Sequence, residues 1–314
     1  MEAIVNKLQV NLIFKSKKYL SDCRRRGIDI STSPFCDLNT WSNGVGYEKL
    51  LLFKKKQNFN INFFWQIFLE IINVGRFKFQ IVSPNLRNFL LKKKKNIIYT
   101  YCWKDSFNEK NEFYDKYLNQ SSKDINNYFI LVSQDGFVPK KINNFSIILK
   151  KKILFNPLLF INRFLNKVFK KNFFHIFNST NIFCEFVSKY IEKNLDMKKI
   201  NFIIPFENRP HQNAVLNVIK RKNKENKTFC YLHNMPWPYQ GDMLFKKKNV
   251  DVLLVSSNIQ KKVLIKNYSW PKELVRVVSS LRFSKLQKRT KTIFLPFDWT
   301  ENQFHLLNKF KDFI

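Results

Sequence analysis

The stretch KKINFIIPFEN (198–208), followed by Pro210 and then HQNAVLNVIKRKNKEN (211–226), decides the fold. An uninterrupted apolar run flanked by lysines is the pattern of a strand buried on both faces, as in a parallel sheet. Pro210 stands where a first helical turn accepts proline, and Val215, Val218 and Ile219 then fall on one helical face. The segment therefore reads as a strand, a short turn and a helix.

The chain repeats that unit. KTFCYLHN (227–234) is the next strand, VDVLLVSS (250–257) a third and ELVRVVSS (273–280) a fourth. NIQKKVLIKNY (258–268) forms a helix before the fourth strand, with Ser257 or Asn258 as its cap. Strands alternating with helices imply a parallel sheet with right-handed crossovers. Ligands of such sheets sit outside the carboxyl ends of the strands. Glu207, Asn208 and His211 follow the first strand, and His233 and Asn234 follow the second, so both groups are expected on one edge of the sheet. His211 reads as a residue of the helix surface, as does His305. Pro236-Trp237-Pro238 forbids a helix after Asn234 and shapes a loop there.

The first half is read as helix, strand (77–82), helix and strand (97–102), again α/β alternation. YCWKDSFNEKNEFYDKYLNQ (101–120) sets Trp103, Asp105, Tyr114, Asp115 and Tyr117 beyond a strand end, a mixture suited to holding hydroxyl-rich molecules or to anchoring a loop. LRFSKLQKRTK (281–291) is a basic linker, and residues 292–314 restart with a strand and an amphipathic helix that leave their apolar faces uncovered. The expected organisation is a Rossmann-like parallel-sheet domain over 1–280, a linker over 281–291 and the first βα unit of a second domain over 292–314.

Composition sets weaker bounds. The net charge is +33, but Lys (45) far outnumbers Arg (11), Asn reaches 37 and Ala only 2. Residues with AT-rich codons are favoured throughout, so compositional drift accounts for the lysines without selection for a polyanion. Forked phosphate contacts call for Arg, and no helix-turn-helix, zinc-finger or aromatic-platform motif appears. A nucleic-acid partner is therefore not expected. The five cysteines have no metal-like spacing and read as reduced, buried thiols of a cytosolic protein. No run is long and apolar enough to span a bilayer. Residues 150–174, however, mix Leu and Phe at helical spacing with Lys and Arg, the composition either of a core-packed helix or of one lying on an anionic membrane surface at the inner face of the cell.

Taken together, INFIIPFENRPHQNAVLNVIKR, TFCYLHNMPW, VDVLLVSSNIQKKVLI, LVRVVSSLRFSK and KTIFLPF resemble bacterial surface-carbohydrate and capsule-polysaccharide glycosyltransferases of the GT-B fold. Glu207, His233, the strand from Asp251 to Ser256 and the segment from Val277 to Arg282 occupy the corresponding places, and YCWKDSF with FYDKYL is similar to an earlier segment of that group. Cys230-Tyr231-Leu232 and Ser279-Ser280 stand where that group commonly has glycine. The resemblance implies transfer of a sugar from a nucleotide-sugar to a glycan or lipid-linked glycan acceptor, with no metal or other cofactor. It implies a base at a strand end of the first, acceptor-binding domain: Glu207 first, His233 second. Asn208, His211, Asn234, Trp237, Trp103 and Asp115 would contact the acceptor, while Arg282 would either contact a donor phosphate or simply keep the linker solvated. Donors of this fold bind mainly the second domain, so the chain alone is expected to have little transferase activity unless a separate chain completes it. A basic nucleic-acid-binding protein and a non-catalytic remnant are the alternatives.

Overall fold

The computed structural model describes residues 72, 75–83, 96–168, 179–195, 199–207, 209–233, 243 and 249–281. All belong to the compact unit 1–282. The strand and helix expected over 292–314, the helices expected on either side of the first strand, and Asn208, Asn234, Trp237, Arg282 and His305 lie outside the described residues.

Among the described residues, ten strands are formed in chain order: β1 (Phe77–Val82), β2 (Asn96–Cys102), β3 (Tyr114–Asp115), β4 (Gln120–Ser121), β5 (Asn127–Ser133), β6 (Phe145–Lys152), β7 (Asn201–Pro205), β8 (Lys227–Leu232), β9 (Val252–Val255) and β10 (Val275–Val277). Four α-helices accompany them among the described residues: α1 (Pro157–Val168), α2 (Ser179–Asn194), α3 (Pro210–Lys222) and α4 (Asn258–Tyr268). Eight strands make one sheet in the order β1-β6-β5-β2-β7-β8-β9-β10, and β3 and β4 form a separate hairpin. Every pairing from β6 to β10 is parallel. The expectation of a purely parallel sheet fails at β1, which closes the edge antiparallel to β6. Between β2, β5 and β6 the crossovers are made by a short 3-10 turn (Lys104–Ser106), the hairpin and a loop, with no α-helix.

The pleat sorts the core. On one face, Ile97, Tyr99, Ile130, Phe202, Ile204 and Leu253 pack with Val187 and Ile191 of α2, Val215 and Ile219 of α3, and Leu264 of α4. On the other face, Ile98, Cys102, Phe129, Leu131 and Ile147 pack with Phe113 and Leu118 of the hairpin region. Covering on both faces is why β5 is buried at every position and lacks a period-two pattern. The Ser257 hydroxyl accepts from Gln260 N and starts α4, and Ser269 closes it in the left-handed conformation at φ 57°. Cys102, Cys184 and Cys230 are buried thiols outside any disulfide, and burial, with Asp135 adding to it, pushes the Cys102 thiol up to about 12, so it is unreactive.

Candidate active site at the carboxyl edge of the sheet

From β2 the chain steps outward to β5 and β6, then returns to the other side of β2 for β7, β8, β9 and β10. The strand order thus reverses between β2 and β7, and a crevice outside the carboxyl ends of those strands is where such sheets take ligands.

Register brings Glu207 and His233 together. Pro205 pairs with Tyr231, and Phe206 N donates to Tyr231 O at 2.7 Å. Two residues beyond each partner, His233 Nε2 lies 3.4 Å from Glu207 Oε1. The His233 side chain is only 4 % exposed, its ring centroid is 4.4 Å from that of Tyr117, and its Nδ1 has no hydrogen-bond partner. Glu207 Oε2 accepts from Arg209 Nε at 2.6 Å. Burial alone would raise the Glu207 carboxyl. The hydrogen bond from His233 and the Arg209 guanidinium outweigh it and hold the group at about 2.

Gln212 fixes the backbone that carries this pair. Its Oε1 accepts from Glu207 N at 3.0 Å and Arg209 N at 3.1 Å, while its Nε2 donates to Pro205 O at 2.9 Å and reaches Tyr101 Oη at 3.4 Å. Three backbone groups therefore set the orientation of one buried amide. The neighbouring His211 is buried, not on the helix surface as the sequence suggests. The first turn of α3 faces the sheet, and both ring nitrogens are engaged, Nδ1 with Tyr99 Oη at 2.9 Å and Nε2 with Tyr101 Oη at 3.2 Å. Burial and the nearby Arg209 cation bring His211 down to about 3, against a smaller opposing pull from Glu207. It is a neutral ring that positions Tyr101.

Tyr101 and Tyr117 also line a cleft of about 510 Å³, together with Trp103, Asp105, Tyr114 and Asp135. Trp103 and Tyr114 are exposed there. A Lys116–Asp105 ion pair at 2.5 Å crosses its rim, and Asp135 accepts from Lys104 N at 2.7 Å and Phe137 N at 3.0 Å, fixing the floor. Asp115 is buried beneath the cleft and does not line it. Its Oδ1 accepts from Tyr117 N at 2.7 Å and Leu118 N at 2.9 Å. Its Oδ2 faces the Thr100 hydroxyl without reaching hydrogen-bond geometry. Burial raises the Asp115 carboxyl in spite of these donors and the nearby His233.

Of the residues singled out from sequence, Glu207, His233 and Trp103 stand at the edge, with His211 and Asp115 behind it. Arg209, Gln212 and Tyr101 emerge only from the structure. Gln212 could have been found, because a Gln two residues after an N1 proline is placed to take the free N–H groups of a helix start. Among the described residues no group of three or more His, Cys, Asp or Glu is placed to hold a metal ion. No protein-family model and no curated protein matches the chain.

Proposed function

We propose that the chain is the acceptor-binding part of a glycosyltransferase of surface-polysaccharide biosynthesis, of GT-B type, acting on a glycan hydroxyl with a nucleotide-sugar as donor. The observation that carries this reading is the Glu207–His233 pair beside a cleft lined by Trp103, Tyr114 and Tyr117. Aromatic faces with carboxylates and amines between them suit sugar rings, which present C–H faces and a girdle of hydroxyls. Sugar transfer to a hydroxyl needs a proton acceptor at that hydroxyl.

His233 takes that role and Glu207 supports it. A carboxylate held at about 2 has too little proton affinity to deprotonate an alcohol well. Bonded to Nε2, it instead fixes the imidazole ring and would stabilise the imidazolium formed once Nδ1, buried and without a partner in the free chain, is uncovered to take the proton. A carboxylate orienting a histidine base works in this way on unrelated folds. Arg209 keeps Glu207 ionised, and Tyr117 holds the His233 ring by stacking.

The test is acceptor binding to the full chain, followed by saturation-transfer NMR, and transfer from a panel of nucleotide-sugars to oligosaccharide acceptors, with the chain supplied alone and together with a separate donor-binding chain. His233→Ala is expected to abolish transfer while leaving acceptor binding in place. Glu207→Gln is expected to lower transfer about 10- to 100-fold, since a neutral amide no longer stabilises the imidazolium. Trp103→Ala is expected to weaken binding. Absence of glycan binding by the parent chain, or full transfer by His233→Ala, would reject the reading.

A further inference from the structure

Strands β1 and β6 close their edge of the sheet with cation against cation. Lys78 stands opposite Lys151, and Lys150 and Lys152 oppose Phe79 and Phe77. Like charges facing across a strand pair destabilise it. Residues 136–184 hold nine Lys and Arg and no Asp or Glu, so this segment carries no neutralising carboxylate of its own.

The chain leaving β6 then forms a tip whose shape is fixed by backbone bonds. Ile153 N donates to Arg76 O at 2.7 Å and Asn156 N to Gly75 O at 3.1 Å. A Cβ at Gly75 would meet the Phe155 ring at 2.6 Å, so a larger residue there would push that ring aside. Asn156 Oδ1 accepts from Leu159 N at 3.0 Å and starts α1 ahead of Pro157. This well-bonded tip nevertheless holds apolar side chains in water: Leu154 is 93 % exposed and Leu158 78 %, with Phe155 and Ile161 exposed beside them. Leu154, Leu158 and Ile161 follow the spacing that brings side chains to one side of a helix and its lead-in.

We propose that this tip is an interfacial anchor that seats on an anionic phospholipid bilayer, with Leu154, Phe155, Leu158 and Ile161 entering the acyl boundary and Lys78, Lys151 and Lys152 meeting the headgroups. Each half of the feature requires the other. A soluble polyanion would take the lysines and leave the leucines in water. A second copy of a chain with net charge +33 would cover the leucines and repel the lysines. A bilayer rich in acidic lipid satisfies both. The anchor also has a direction. β6 runs parallel to β5 and β5 to β2, so the tip leaves the same edge of the sheet as the cleft, about 10 Å to the side at the usual strand spacing. A membrane-borne molecule would thus meet the edge that carries Tyr101, Glu207 and His233. The inference does not depend on the glycosyl-transfer reading.

The experiment is co-sedimentation of the full chain with sucrose-loaded vesicles of phosphatidylcholine alone and of phosphatidylcholine with about one third phosphatidylglycerol, an acidic content typical of anionic surfaces. The deciding variant is Leu154→Asn with Leu158→Asn, which leaves the charge intact and changes only exposed residues, so its melting temperature should match the parent. The parent should sediment with the anionic vesicles, and the double variant should partition at least about tenfold more weakly, as expected for removing two apolar anchors. Undiminished binding by the double variant would show adhesion by charge alone and overturn the proposal. So would failure of the parent to bind, or a parent dimer that the double variant dissociates while vesicle binding stays the same.

Discussion

The ring of Tyr117 lies 4.4 Å from that of His233, centroid to centroid, and the same tyrosine lines the cleft. One residue thus joins the wall that would hold a sugar to the ring that would take its proton. Tyr117→Phe keeps the stacked face and should preserve transfer and glycan binding within about threefold. Tyr117→Ala removes it, and should weaken glycan binding about tenfold, the scale of one lost aromatic contact. It should also broaden or shift the His233 imidazole signals in the NMR spectrum. Normal binding and an unchanged His233 signal in Tyr117→Ala would break the link between cleft and base.

Acid should destabilise the protein over two overlapping pH ranges. His211 ordinarily titrates at 6.5 but is held at about 3 when folded, so below pH 6.5 the unfolded chain binds a proton that the folded one refuses. Its stability contribution is complete above 6.5 and is lost as pH falls toward 3, by at most about 5 kcal/mol. Glu207, brought from 4.5 to about 2, adds a loss of about 3 kcal/mol between those values. Urea titrations at pH 7 and pH 4.5 should therefore differ by about 3 kcal/mol in the parent, mostly through His211. His211→Asn should be destabilised at pH 7 by about 1–3 kcal/mol, for the tyrosine hydroxyls it leaves short of a partner. It should then lose much less on acidification. An equal acid loss in that variant would remove His211 from the account.

Gln212→Leu tests the backbone that supports the pair. The substitution keeps the volume but strands Pro205 O, Glu207 N and Arg209 N, all of which bond to the amide. The expected cost is about 2–4 kcal/mol in urea denaturation, since buried unpaired backbone groups are expensive. Transfer should fall with it, because Glu207 would no longer be held at its 3.4 Å approach to His233. Glutamate at 212 separates the two roles of the amide, for it can still accept from Glu207 N and Arg209 N but, ionised, cannot donate to Pro205 O.

The later strands were legible because each is a short apolar run punctuated by a proline or a cap, and β7, β8, β9, α3 and α4 fall where those signals put them. Glu207 and His233 were legible for the same reason: parallel strands of equal register present the residues just past their ends side by side. β5 and β6 were not assigned. NYFILVS and FSIIL are buried throughout, so they carry no periodicity, and no helix separates them to announce a crossover. His211 was misread because the first turn of α3 points into the sheet, a matter of how the helix docks and not of its own spacing. For Asp115 the sequence left a ligand contact and a loop anchor open, because a carboxylate near a strand end can serve either; its bonds to Tyr117 N and Leu118 N show it anchoring the turn.

At the opposite end of the strands an asparagine row ties the centre of the sheet, and one substitution can show that it acts as hydrogen bonds. Asn96 pairs in register with Asn127 on one side and Asn201 on the other. Its Nδ2 donates to Asn127 Oδ1 at 3.0 Å, and its Oδ1 accepts from Asn201 Nδ2 at 3.1 Å. Asn96→Ala removes both bonds from a half-buried site and should cost about 1–2 kcal/mol. Asn96→Asp keeps the acceptor but turns the donor into a second acceptor facing Asn127 Oδ1. At neutral pH it should therefore be less stable than the alanine variant, although it is nearly isosteric with the parent. Lowering the pH below about 4 protonates that carboxyl and restores a donor, so the gap between the two variants should narrow while both lose stability through His211. Measuring the two side by side at each pH cancels that shared loss. A gap that stays constant, or an aspartate variant as stable as the parent at pH 7, would mean the row is incidental to the pairing of β5, β2 and β7.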